Sequence, residues 1–228
     1  MSENRRHWKN DPRISAPEQR KTPAEVLELL TASAGEAFLE GRVAEWVEGA
    51  STSADPYRQV WLKIHRDALH AVVKRLFGIQ FPHFVVIAAE DRGETIELPY
   101  IFRLYHGAWH EEILVVITAV VPKSDPVVDT LSDLIAGIVL SEREKQEMIG
   151  VVVRNIPDGR RMFLPEDFPQ GVYPWRRDET GVADTMVRHL WATGREAFNA
   201  REAEKAAAAA EMASAAAPPA SAEEGGNP

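Results

Sequence analysis

A chain of 228 residues with 45% hydrophobic and 27% charged residues is long enough for one cored domain with appendages. Its 26 Lys and Arg against 35 Asp and Glu leave a net charge of −9, which argues against non-specific nucleic-acid binding, since that depends on cations neutralising phosphates. The absence of cysteine excludes disulfides, thiolate zinc sites, a Cys nucleophile and any iron–sulfur cluster held by this chain's own thiolates, and fits a cytoplasmic protein.

Residues 1–21 read as a flexible basic arm carrying Arg5, Arg6, Lys9, Arg13 and Arg20, with no apolar core of a secretory signal. No stretch of the chain approaches the roughly 18 apolar residues of a membrane span. An α/β domain is expected over 22–153. It opens at Thr22-Pro23-Ala24-Glu25, a capping box with Pro at the first helical position, followed by Val26, Leu27, Leu29 and Leu30. Residues 36–49 are ambiguous between a short hairpin and a helix. Arg58 to Ile64 alternates as a strand, and His65 to Phe77 places Leu69, Val72, Val73 and Leu76 on one helical face. Phe84–Ala89, Thr95–Tyr105 and Ile113–Val121 follow as strands close enough together for an antiparallel meander, the first two joined by Asp91-Arg92-Gly93.

After Pro122 and Pro126, Val127 to Met148 reads as helix. A wheel at about 100° per residue puts Leu131, Ile135, Ile138, Glu142 and Ile149 in one sector, with Arg143, Glu144 and Glu147 opposite. A carboxylate inside an apolar stripe needs a partner, and the nearest permanent cations past the helix are Arg160 and Arg161, so a buried Glu142–Arg pair is expected. Residues 154–180 are rich in Pro and charge and carry no helical or strand period. Such a segment is expected to lack a fold of its own and to lie across another protein, offering guanidinium groups to carboxylates. A helix over 181–211 and a disordered Ala/Pro/Gly-rich tail over 212–228 complete the chain. The fold class is therefore α/β of the α+β type: a mixed, largely antiparallel sheet packed with helices, then an extended segment and a helix.

Motifs for chemistry are lacking. His106, His110, Glu111 and Glu112 lie on a turn and not at the spacing of a metal-binding helix; no phosphate-cradling glycine loop or nucleophile elbow occurs; and Glu166 and Asp167 are adjacent, which establishes no acid–base gap. The informative strings lie together: Glu142-Arg143-Glu144-x-x-Glu147-Met148-Ile149-Gly150, then Pro157-Asp158-Gly159-Arg160-Arg161, Leu164-Pro165-Glu166-Asp167, and Tyr173-Pro174-Trp175-Arg176-Arg177-Asp178.

In order and spacing these blocks resemble the 30 kDa subunit of NADH-quinone oxidoreductase (respiratory complex I), over about 22–180. Lys145-Gln146-Glu147 stands where the family has Ala-Tyr-Asp, Ile156 stands for a His before Pro-Asp, and Tyr173 stands for a second His. This drift is similar to the equivalent subunit of energy-converting, membrane-bound [NiFe] hydrogenases. The resemblance implies an accessory subunit with no catalytic, cofactor-binding or metal-binding residue. Its partners would be a large catalytic subunit and a small iron–sulfur subunit, which hold the iron–sulfur clusters and, in the hydrogenase branch, a Ni–Fe centre. It would sit peripherally on the cytoplasmic face of the membrane, touching the membrane arm indirectly. Glu142, Arg143, Glu144, Glu147, Arg160, Arg161, Pro165, Glu166, Asp167, Pro174, Trp175, Arg176, Arg177 and Asp178 would be its structural and partner-binding residues. The 30 kDa subunit of complex I itself, a free-standing soluble enzyme and a scaffold outside any redox complex are the other readings.

Overall fold

The computed structural model describes residues 20–49, 55–108, 111–186 and 199–205. By contacts the chain divides into two units, 1–182 and 183–228.

The first unit opens with helix α1 (Pro23–Ala34), started as its sequence demands. The Thr22 hydroxyl accepts the Glu25 N–H at 3.3 Å while the Glu25 carboxylate accepts the Thr22 N–H at 2.7 Å. Val26, Leu30 and Ala34 are buried, one helical turn apart. Strand β1 (Phe38–Glu48) follows, so the ambiguous stretch is the first arm of a hairpin with β2 (Asp55–His65). A turn at Arg66–Ala68 leads into α2 (Leu69–Phe77), whose buried residues are the four that the periodicity picks out: Leu69, Val72, Val73 and Leu76.

Strands β3 (His83–Ile87), β4 (Glu90–Asp91), β5 (Thr95–Leu104) and β6 (Ile113–Pro122) complete a six-stranded sheet of order β1-β2-β6-β5-β3, with β4 paired to β5. The expected meander is present, because β3–β5 and β5–β6 are antiparallel. The β2–β6 junction is parallel, with Leu62 opposite Ile117. That pairing brings β6 to the centre of the sheet, where it is buried almost along its whole length, as an interior strand must be. β5, covered on one side, alternates: Ile96, Leu98, Tyr100, Phe102 and Leu104 are buried and the residues between them are not. Helix α1 packs on β2 and on α2, so one face of the sheet and these two helices enclose the core.

The helix expected over Val127–Met148 is shorter. Val127–Asp129 forms strand β7, which pairs in parallel with β8 (Val152–Arg154). Residues 130–135 are irregular with a turn at 132–134, Ala136–Ile138 is a single tight turn, and α3 runs only from Val139 to Ile149. Tertiary pairing overrides the local helical period here. The Asp129 carboxylate accepts from two Arg154 nitrogens at 2.9 and 3.0 Å, and the Thr130 N–H bonds the Arg154 carbonyl at 3.0 Å.

In the second unit Asp184–Met186 forms a tight turn and 199–205 are helical. The helix expected over 181–211 does not begin at 181, since 181–183 are irregular; its residues 187–198 and 206–211, most of the arm over 1–21 and the tail over 212–228 lie outside the described residues. No helix among the described residues is long and apolar enough to cross a membrane.

Candidate functional site

The charged motif falls on α3, and each of its members has a different neighbour. Glu142 is 1% exposed, as the apolar stripe requires. Its partner is not an arginine: the carboxylate accepts the Thr130 hydroxyl at 2.6 Å and the Leu131 N–H at 2.8 Å. The expected pair with Arg160 or Arg161 is thereby corrected. Because 130–135 is irregular and not helix, it folds its own donors back over Glu142. Burial pushes the Glu142 carboxyl above its ordinary range against the pull of those two hydrogen bonds.

The expected division of the wheel also fails at Glu147, which is 7% exposed. Its carboxylate accepts three successive backbone N–H groups, from Met162, Phe163 at 2.8 Å and Leu164 at 2.9 Å. Arg143 reaches the same segment from the next turn, donating to the carbonyls of Arg160 at 2.8 Å and Arg161 at 3.2 Å and lying 3.5 Å from Asp158. Glu144 pairs with its neighbour Lys145. The Lys145 ammonium sits 4.7 Å from the centre of the Trp175 ring.

The segment after β8 is thus a strap laid on α3. Periodicity in the sequence reveals no fold for it because hydrogen bonds to helix side chains, and not burial of an apolar face, hold it down. Arg160, Arg161 and Arg176 bond groups of this chain. Arg160 forks onto Asp158 at 2.9 and 3.0 Å, holding that carboxyl well below the usual range. Arg161 donates to the carbonyls of Phe168 at 2.9 Å and Pro165 at 3.4 Å. Arg176 caps the negative end of α3, donating to Ile149 O at 2.6 Å, while the Trp175 N–H donates to Met148 O at 2.8 Å. Between them Tyr173 covers Gly150, whose φ of 74° ends the helix; a Cβ at that position would lie 2.6 Å from the ring.

The strap's end is latched through a lysine that no local signal in the sequence singles out. Lys123, just past β6, bridges Asp91 at 2.7 Å and Asp178 at 2.6 Å, and Asp91 also accepts the Arg177 N–H at 2.8 Å. The Lys123 bond, aided by Thr180, draws the Asp178 carboxyl far below its ordinary range. Asp91 is 5% exposed, yet its hydrogen bonds to Lys123 and to two backbone N–H groups outweigh burial and lower its pKa too. Lys123 stands 55 residues before Asp178, a separation that only the fold closes. Pro174 is half-buried, whereas Glu166, Asp167 and the Arg177 side chain are exposed. Among the described residues no group of three His, Asp or Glu could hold a metal ion.

The whole stretch from β2 to the latch, residues 62–185, matches the family model for the 30 kDa subunit of respiratory-chain NADH dehydrogenase, more than half of the chain. The chain belongs to that family. It is 34% identical over 133 residues to the membrane-bound hydrogenase subunit beta of Pyrococcus furiosus, a match covering 58% of this chain and 76% of that protein. It is 23% identical over 128 residues to one subunit of the F420H2 dehydrogenase of Methanosarcina mazei, covering 56% and 79%. In fold it is similar to a chain of the membrane-bound sulfane sulfur reductase, an archaeal respiratory membrane complex. The TM-score there is 0.51 and the identity 15%, over 77% of this chain and 91% of that one. As a member of this 30 kDa family the chain is a subunit of a membrane-bound oxidoreductase complex.

Proposed function

We propose that this chain is the accessory subunit that binds and stabilises the large catalytic subunit of an energy-converting, [NiFe] hydrogenase-like membrane complex. In this reading it carries no cofactor itself. The iron–sulfur clusters, and the Ni–Fe centre, belong to the large subunit and to a small iron–sulfur subunit, and the chain is held through them on the cytoplasmic face of the membrane. The observation that carries the reading is the strap. Its backbone is tied to α3 and to the latch, while Met162, Phe163, Trp175, Glu166, Asp167 and Arg177 face solvent, a mixture of aromatic, apolar and charged groups suited to a protein partner. The higher identity to a hydrogenase subunit supports the hydrogenase branch. The second reading, the 30 kDa subunit of a proton-pumping NADH-quinone oxidoreductase, is favoured by the name of the family it matches.

Purification of the tagged full-length chain from detergent-solubilised membranes tests the proposal. The expected result is one large assembly containing a large subunit with paired Cys-x-x-Cys motifs, with nickel and iron in the assembly and none in this chain alone. A large subunit without those motifs selects the quinone-reducing branch. A 25.4 kDa species free of partners, or stoichiometric iron, nickel or flavin on the isolated chain, overturns the proposal.

A further inference from the structure

The turn from Arg161 to Phe168 differs from the rest of the strap in how its polar groups are engaged. Its leading N–H groups, on Met162, Phe163 and Leu164, donate to Glu147. Two of its carbonyls, Pro165 and Phe168, accept from the Arg161 guanidinium, and the Phe168 N–H closes on Pro165 O at 3.1 Å. The backbone is therefore pinned from two sides, by Glu147 of α3 and by the turn's own Arg161. Its side chains are not: Phe163 is 55% and Met162 38% exposed. Glu166 and Asp167 are exposed and have neither hydrogen-bond nor ion-pair partner among the described residues. The cations nearest in sequence do not neutralise them, because Arg160 is committed to Asp158 and Arg161 to carbonyls.

We propose that this turn is a preformed docking knuckle that inserts Phe163, with Met162 beside it, into an apolar pocket of the large subunit whose rim carries arginine or lysine facing Glu166 and Asp167. The inference rests on the function proposed for the strap, that it binds the large subunit. A turn already fixed by its hydrogen bonds to Glu147 and Arg161 loses little further freedom on docking, so an exposed aromatic on it is a strong anchor. The paired carboxylates steer the approach and select a basic rim. They also argue against a second copy of this chain as the occupant. A two-fold contact through the turn would set carboxylates against carboxylates on chains that each carry a net charge of −9.

The test uses the full-length chain in the membrane complex, with p-benzoylphenylalanine replacing Phe163 as a photo-cross-linker. The expected product joins position 163 to the large subunit, in a segment with apolar residues and at least one Arg or Lys. Phe163→Ala, and separately Glu166→Lys with Asp167→Lys, each lower the large subunit retained by the tagged chain by at least about tenfold, the size of a hot-spot loss. Thermal midpoints matching the unsubstituted chain show that the variants are folded. A cross-link confined to this chain, to a second copy or to a different subunit overturns the knuckle, as does full retention in either variant. In those cases a large subunit still held by the unsubstituted chain leaves the proposed function standing. If the unsubstituted chain retains no large subunit, that function fails and the knuckle with it.

Discussion

Glu142 and Glu147 are carboxylates on the same helix, and both are buried because backbone donors from elsewhere meet them. Removing the Glu142 carboxylate strands the Thr130 hydroxyl and the Leu131 N–H. Glu142→Ala is therefore expected to cost about 2–6 kcal/mol, at about 1–3 kcal/mol for each stranded group. Glu144→Ala is expected to cost about 1–3 kcal/mol, because its partner Lys145 is only 3% exposed and its ammonium is left against the Trp175 ring. Urea unfolding measures both variants. The raised pKa of Glu142 has a definite sign. A carboxyl whose folded pKa exceeds its unfolded one contributes stability that is full below the unfolded value and is lost as pH rises through the folded value. Glu142→Gln, which keeps an acceptor for Leu131, is expected to remove that part of the slope of stability against pH above about pH 4.

At the scale of elements, the strap is a segment without a core of its own, held at three stations: Glu147 on its first turn, Arg176 and Tyr173 on the end of α3, and Lys123 on Asp178. Asp178 has a lowered pKa, so its contribution is present above the ordinary carboxyl value and is lost only as pH falls through the depressed folded value. The latch therefore stays closed at every pH above about 4. Asp178→Asn removes the charge at all pH values. Faster hydrogen exchange is expected at the N–H groups of Tyr173 and Trp175, which bond Thr180 O and Met148 O, with exchange in β5 and β6 unchanged. Gly150→Ala acts at the middle station. It forces an L side chain into a left-handed φ, at a cost of about 1–2 kcal/mol, and drives a methyl into the Tyr173 ring. A loss of stability with release of Tyr173, seen as a change in its near-ultraviolet dichroism, is the expected outcome.

The whole first unit depends on the parallel junction between β2 and β6, where Leu62 and Ile117 face each other across the register with 2% and no exposure. Leu62→Ala or Ile117→Ala leaves a cavity in the middle of the sheet, costing about 2–5 kcal/mol. For a unit of this size that lowers the thermal midpoint by about 10 °C. The double variant is expected to cost less than the sum, since the two side chains share one space. Scanning calorimetry reads both. These lesions unfold the unit, whereas those in the strap open it locally.

Whatever is set by neighbours along the chain is legible in the sequence. The capping box of α1, the four buried positions of α2, the alternation of Val60, Leu62 and Ile64 in β2 and the burial of Glu142 could all be read, because a period or a cap is a property of adjacent residues. The segment after β8 is expected from its sequence to lie across another protein, and it lies on α3 of its own chain. Contacts between residues distant in sequence became visible only in three dimensions. Strand β7 exists because β8 pairs with it, although its own residues read as helix. Glu142 meets an irregular segment and not an arginine. The strap lies down because Glu147 and Lys123 supply charges where its backbone N–H groups and Asp178 arrive, and no local pattern records a contact closed across 55 residues of chain.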